Sequence, residues 1–383
     1  MAARGHSSRS AFQVRPGLAR GCQLKGITAL DFDRYLEAFR ARFNPILAAF
    51  LESLRGRPSR VGGAAPAVFS EIERFTLQGG KRTRPLLVSL GHEAYGGQPD
   101  GAILRAACSI ELMQTFLLIH DDIMDHADDR RGAATAHRQL SVSAPVWGVT
   151  NAEHHGVTLA ILAGDIAAAY GMMAIGTSGF APERSARAQQ LYAEVVADEG
   201  YGQVLDSTAM VSSGCTAEDV ANTAYYKTAR YTTEGPLHLG AVLAGVGDGE
   251  LDCLSAYARP LGYAFQLQDD ILDLTGDPLK TNKTRGKDIL EGKRTLPILM
   301  GLERAGPRGR EQIEAALGKA EPPDREVVAI VDLLSSLGIF VDAAKRVESL
   351  ADEAKAALSA CAVPEETRER LAEFADYLVR RNS

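Results

Sequence analysis

LLIHDDIMDHADDRRG, residues 117–132, and the shorter FQLQDDILD, residues 265–273, each carry Asp-Asp-x-x-Asp directly behind an apolar run. At about 100° per residue, Asp121, Asp122 and Asp125 fall within an arc of roughly 100° on one helix face, and Asp269, Asp270 and Asp273 repeat that arrangement. Six carboxylates on two short faces repel one another unless something neutralises them. Solvent and scattered lysines would serve a single exposed motif. Here Phe116-Leu117-Leu118-Ile119 and Tyr263-Ala264-Phe265 lead straight into the acids. Each motif therefore sits where an apolar helix leaves a core, and clustered charge at such a boundary calls for a bound cation. All-oxygen ligands suit a hard divalent ion, and Mg²⁺ keeps several waters while sharing its other positions with substrate phosphates. A phosphorylated substrate bridged through metal is the expectation.

Outward from these motifs the chain reads as helix after helix. From Asp31 to Leu54, Phe32, Tyr35, Leu36, Phe39, Phe43, Leu47, Phe50, Leu51 and Leu54 recur at three and four, the spacing of an amphipathic helix, which RGRPSRVGGAAP then breaks. Further breaks fall at residues 94–101, 143–151, 177–185, 212–219 and 245–250. Thr216 followed by Glu218 and Asp219, and Pro182-Glu183 before an Ala-rich run, have the form of helix starts. No segment alternates with period two, so an all-α fold is expected, and no linker divides residues 31–383 into separate domains. Residues 1–30 hold no Asp or Glu but carry Arg4, Arg9, Arg15, Arg20 and Lys25. That composition fits a disordered basic tail, and it also resembles an organelle transit segment.

The bulk composition excludes several classes. A net charge of -7 argues against a general nucleic-acid binder, which needs excess Lys and Arg. The run from Gly156 to Phe180 has Asp165 as its only charge before Phe180 and no flanking Lys or Arg, which reads as a buried core helix rather than a membrane span. The five cysteines are scattered and form no C-x-x-C pair, so neither a disulfide framework nor a thiolate metal site is expected, and a reducing cytoplasm is the default. His154-His155 lacks a third ligand nearby, and H-E-x-x-H is absent.

Phosphate needs cationic partners, and they come in clusters. Gly79-Gly80-Lys81-Arg82-Thr83-Arg84-Pro85 opens a predicted helix, where two glycines let backbone approach closely and Lys81 and Arg84 can grip a diphosphate. The spacing is not that of a Walker loop. Arg130-Arg131-Gly132 is placed two turns beyond the first acidic face, and Lys227-Thr228, Lys283 and Lys293 lie around the second.

GGKRTRP, HDDIMD followed by RRG, GQVLD (202–206), KTARYT (227–232), FQLQDDILD and DILEGKRTLP (288–297) occur in that order. The chain thereby resembles a trans-isoprenyl diphosphate synthase of the polyprenyl synthetase family, over roughly residues 70–300. The resemblance implies an all-α bundle around a deep central cavity, usually homodimeric, in which Mg²⁺ on both aspartate motifs holds an allylic diphosphate. Its C–O bond ionises, the double bond of isopentenyl diphosphate attacks the carbocation, and a proton is lost, with the departing diphosphate as base. By that resemblance Asp121, Asp125 and Asp269 are direct metal ligands, and Asp122, Asp270 and Asp273 bind directly or through water. Arg130, Lys227 and Lys283 hold the allylic diphosphate, Thr228 and Gln266 present oxygens to the cation, and Lys81, Arg84 and Arg131 match the isopentenyl diphosphate site. Gln114 stands where many members have His and keeps a neutral donor there. A glycine that commonly precedes the lysine is missing from Thr281-Asn282-Lys283.

Product length is read from the residues before the first motif. DDIMD has no insertion, and aromatic Phe116 with aliphatic Leu117 resembles the archaeal kind of geranylgeranyl diphosphate synthase, implying a twenty-carbon product, with fifteen and twenty-five carbons as neighbours. A helical wheel puts Leu117 nearer the carboxylate face and Phe116 roughly 170° from its centre. A class I terpene cyclase shares the first motif but has no need of a second diphosphate site such as GGKRTRP. A non-catalytic regulatory subunit tends to have lost one acidic motif, and both are complete here.

Overall fold

The computed structural model describes residues 29–130, 132–276, 286–319 and 324–380. The expected basic tail lies outside these residues except at Ala29 and Leu30, where the first helix begins. That helix, α1 (Ala29–Leu54), buries the three-and-four series from Phe32 to Leu54. The segment read as a plain break forms a short helix, α2 (Gly56–Val61), before α3 (Ala65–Leu77) and α4 (Thr83–Glu93).

The fold is built around α5 (Gly101–Met124), which carries the first aspartate motif at its end. Asp100 caps its start, accepting from the backbone N–H of Ala102 at 2.8 Å and Ile103 at 3.2 Å. From Ala106 to Met113 α5 is buried on all sides, as expected of a helix inside a bundle. The chain then makes the one exception to helix among the described residues: a two-stranded ribbon, β1 (Asp129–Arg130) and β2 (Ala133–Ala134), pairing Asp129 with Ala134 and Arg130 with Ala133. After α6 (Ala136–Ser141), α7 (Ala152–Gly176) runs along α5. Gly156, Ala160, Ala163, Gly164, Ala167 and Gly171 form its buried face. The approach is close enough that a Cβ on Gly164 would collide with the imidazole of His120.

One expectation for α7 fails. Expected as a buried core helix, it is buried over only 44% of its apolar window, against 72% for α5, and Ile161, Leu162 and Met172 are exposed. Both helices are long and apolar enough to cross a membrane by length and composition alone. The small residues that let α7 approach α5 put its larger apolar side chains on the opposite face.

Helix α8 (Pro182–Thr208) is followed by α9 (Ala217–Thr223), whose Thr216 and Asp219 form the capping box expected of a helix start. Next come an eleven-residue π-helix (Ala224–Glu234), α10 (Gly235–Ala244) and the long α11 (Asp248–Thr275), which ends in the second aspartate motif. The helix Ile339–Leu358 packs along α11. A smaller apolar cluster, including Leu274, Ile289, Ile298 and Leu334, gathers just beyond the second motif. Cys253 on α11 and Cys361 form a disulfide with Cα atoms 5.7 Å apart, contrary to the reading of the cysteines as unpaired. The partners are 108 residues apart, and sequence spacing carries no information about such a pairing.

Candidate active site

The two aspartate motifs sit at helix C-termini, where unpaired carbonyls already make the potential negative. At the first, Asp122 is 1% exposed and accepts on Oδ1 from Nε of Arg130 at 2.7 Å, with the Arg130 Nη2 also at 2.7 Å. Its Oδ2 is buried without a hydrogen-bond partner. The same guanidinium is 3.5 Å from Asp121. Arg130 reaches back because α5 stops at Met124 and the ribbon turns through Gly132 at φ 75°, so the arginine is not two helical turns onward as its spacing implied. Lys227 Nζ, from the π-helix, lies 3.9 Å from Asp121 and 2.6 Å from Asp206. Asp125 is 2.5 Å from Nζ of Lys287.

At the second motif Thr228 donates to the Gln266 carbonyl oxygen, and Gln266 Nε2 donates to Asp270 at 2.7 Å. Asp273 accepts the backbone N–H of Asp288 at 3.2 Å. Asp269, on the same helix end, is half-buried. The π-helix thus joins the motifs, with Lys227 facing Asp121 and the next residue leading through Gln266 to Asp270.

The electrostatics show a surplus of buried negative charge. Burial raises the Asp121 carboxyl above its ordinary range, as it does for Asp122. Asp270 is pushed well above the ordinary range by burial and by Asp288, Asp269 and Asp273, and Asp288 is pushed up to about 7 by burial and Asp273. Asp206 is the exception: burial pushes it upward, but Lys227 and Lys293 outweigh this and hold it below the ordinary range. Among the described residues no three His, Cys, Asp or Glu groups converge into a ready metal cage. A bare oxygen on Asp122 and acids raised by one another fit hard divalent ions that take part of their coordination from these carboxylates and part from diphosphate and water.

The basic loop is organised by a residue to which the sequence reading gave no role. Gly79 and Gly80 have φ 71° and 111°, and Arg82 sits at φ 57°, uncommon for a side chain with a Cβ. Arg82 is buried, forms an ion pair with Glu111 of α5, and donates to Oδ1 of Asn44 and to the carbonyl of Thr76, both at 3.1 Å. Removing one partner from a buried pair of this kind costs about 3–5 kcal/mol, which is enough to hold an unfavourable backbone conformation. Arg82 is thus a structural anchor, with exposed Lys81 on one side of it and Arg84 on the other. Arg84 Nη2 donates to Tyr231 at 2.8 Å and Thr232 at 2.9 Å, and its Nε is buried without a partner. Gln114 lies on α5 about one turn beyond Glu111, half-buried.

Of the residues ahead of the first motif, Leu117 is buried, and Phe116 is half-buried with its ring edge-on to His120 at 4.9 Å between centroids. His120 Nε2 is 3.0 Å from the carbonyl oxygen of Ile161 on α7, so the ring stack is tied to the neighbouring helix. Lys283 and Arg131 lie outside the described residues. Asp206, Lys287, Asp288, Tyr231 and Thr232 complete the site and were given no role in the sequence reading. Asp206 closes GQVLD and Asp288 opens DILEGKRTLP, so an acid in each of these two ordered motifs was the signal available.

Residues 66–334 match the family model described as Polyprenyl synthetase. The chain is 36% identical over 287 residues to the chloroplastic geranylgeranyl pyrophosphate synthase 11 of Arabidopsis thaliana, covering 70% of this chain and 75% of that protein. It is 27% identical to a geranylgeranyl diphosphate synthase of Sulfolobus acidocaldarius, covering 90% and 97% of the two chains. Among solved structures, the geranylgeranyl pyrophosphate synthase of Corynebacterium glutamicum, complexed with isoprenyl diphosphate and magnesium, superposes with a TM-score of 0.83 at 33% identity. That match covers 92% of this chain and 99% of the other. The chain belongs to the polyprenyl synthetase family. Within it, the chain is a trans-prenyltransferase with the all-α isoprenyl synthase fold.

Proposed function

We propose that this enzyme condenses isopentenyl diphosphate with allylic diphosphates to make geranylgeranyl diphosphate, using Mg²⁺. The observation that carries the reading is the single path from Asp121 through Lys227 and Thr228 to Gln266 and Asp270, which links the two acidic motifs as a shared diphosphate requires. Asp121, Asp125 and Asp269 hold metal directly, with Asp122, Asp270 and Asp273 directly or through water. Bound there, Mg²⁺ screens the diphosphate and stabilises it as it leaves. Lys227, already anchored by Asp206, points its ammonium at the leaving group together with Arg130, and Lys283 is assigned to the same diphosphate from its motif alone. Thr228 and Gln266 set oxygen dipoles beside the developing cation. Lys81, Arg84, Arg131 and Gln114 bind isopentenyl diphosphate, and the released diphosphate accepts the proton. Phe116 and Leu117 set the depth available to the growing chain.

Residues 31–383 form one synthase domain in this reading, working in the cytoplasm. The exposed apolar side chains Ile161, Leu162 and Met172 of α7, with Val146 and Trp147 nearby in sequence, meet a second copy in a homodimer.

Incubation with geranyl or farnesyl diphosphate alone tests the reaction class. The expected result is no product until isopentenyl diphosphate is added. Release of a cyclic hydrocarbon from the single substrate would make the chain a terpene cyclase.

A further inference from the structure

An eleven-residue π-helix is unusual, because i→i+5 hydrogen bonding is seldom sustained beyond about one turn. Something outside the backbone must hold it. The segment carries contacts to three separate parts of the site: Lys227 to Asp121 and Asp206, Thr228 to Gln266, and Tyr231 with Thr232 to Arg84. Relaxing one π turn to an α turn removes one residue from it and would rotate Thr232 relative to Lys227 by roughly 100°. The register therefore decides whether the allylic-side and isopentenyl-side groups point correctly together.

The restraint is at the far end. Glu234, the last π-helical residue, is 0% exposed. Its carboxylate accepts from Nε of Arg259 on α11 at 2.7 Å, from the Tyr225 hydroxyl at 2.9 Å and from Nη1 of Arg230 at 3.4 Å. Tyr225 is in the first turn of the same segment, so Glu234 ties the beginning of the π-helix to its end. Arg230 extends the tie to α8 through Asp198 at 2.8 Å, and Thr233 donates to the carbonyl of Ala258 at 2.9 Å. Arg259 also lies over the Tyr225 ring, 5.2 Å from its centroid. None of Glu234, Arg259 or Tyr225 contacts an aspartate motif in any of these interactions.

We propose that Glu234 and Arg259 are positioning residues that fix the π register, so that one rigid element orients Lys227 and Thr228 on the allylic side and Arg84 on the isopentenyl side. The proposal rests on the prenyltransferase reading above and adds to it a coupling between the two substrate sites. Arg259 is the better variant, since its side chain is 50% exposed, facing a groove lined by Ser255, Tyr263 and Arg346, and its loss leaves little void.

The test uses the full chain with Arg259→Met, Glu234→Gln and Arg259→Lys. KM for isopentenyl diphosphate and KM for the allylic diphosphate are both expected to rise about tenfold in the first two, with Arg259→Lys recovering part of the loss, as for a coupling lost at both sites. Arg259→Met should keep the parent melting temperature within a few degrees. Amides of residues 224–234 should exchange with deuterium about tenfold faster in Arg259→Met, a readout independent of turnover. Unchanged exchange, or both KM values within twofold of the parent while only the active fraction falls, would overturn the proposal. A parent chain that makes no prenyl diphosphate would sink the underlying reading instead.

Discussion

Asp121→Ala is expected to lower kcat/KM by about 10²–10³-fold, the effect of deleting one preorganised group that stabilises charge developing in the transition state. Asp121 stands where three cationic or metal-directed features meet. Its carboxylate lies 3.9 Å from Lys227 and 3.5 Å from Arg130, and it is raised by burial with Asp125 adding to the shift. In the proposed function a divalent ion offsets the cost of that burial. The fold should survive the change, because Lys227 keeps Asp206 at 2.6 Å and Arg130 keeps Asp122 at 2.7 Å. Steady-state kinetics at several Mg²⁺ concentrations, with circular dichroism as the fold control, check this. A loss under tenfold at saturating Mg²⁺ would remove Asp121 from the metal site.

Phe116→Ala is expected to move the product from twenty carbons to twenty-five or more. Phe116 is about one turn ahead of Asp121 on α5, and its ring is braced by His120, which in turn rests on α7 at Gly164 and the Ile161 carbonyl. A braced aromatic ring makes a hard stop, and truncating it to Ala opens space that surrounding side chains refill only in part. The wheel places Phe116 far from the carboxylate face, and in the proposed reading it acts through His120, which rests on α7, rather than beside the aspartates. Leu117→Ala is the paired control. An unchanged product spectrum for Phe116→Ala, with lengthening in Leu117→Ala, would move the stop to Leu117.

Most of the fold was legible because each helix leaves a local signature. The three-and-four series of α1, the Thr216 cap and the glycine-rich breaks all report on neighbours within a turn or two. What escaped is non-local. The Cys253–Cys361 disulfide spans 108 residues. The half-exposed face of α7 depends on which neighbour its glycines choose, and a uniformly apolar helix shows no period from which to read a face.

The same division holds at the site. Aspartates, lysines and the Thr228–Gln266 pair were named from motifs, and the structure brings Asp121, Asp122, Arg130, Lys227, Thr228, Gln266 and Asp270 into one network. Arg82, between the two cations assigned to phosphate, received no role from the basic run, and only its positive φ and the Glu111 pair show that it turns inward. The π-helix left no trace either, since an i→i+5 register is set by tertiary restraints such as Glu234 rather than by composition. Arg130 was misplaced because a helix was extended through residues that form a ribbon.

The central claim is that both acidic motifs serve one metal-dependent chain elongation. Chromatography of dephosphorylated products, from isopentenyl diphosphate with five-, ten- and fifteen-carbon starters in the presence and absence of Mg²⁺, tests it most directly. The predicted result is geranylgeraniol from each accepted starter with Mg²⁺ and nothing after full chelation. Undiminished product after chelation would contradict the account.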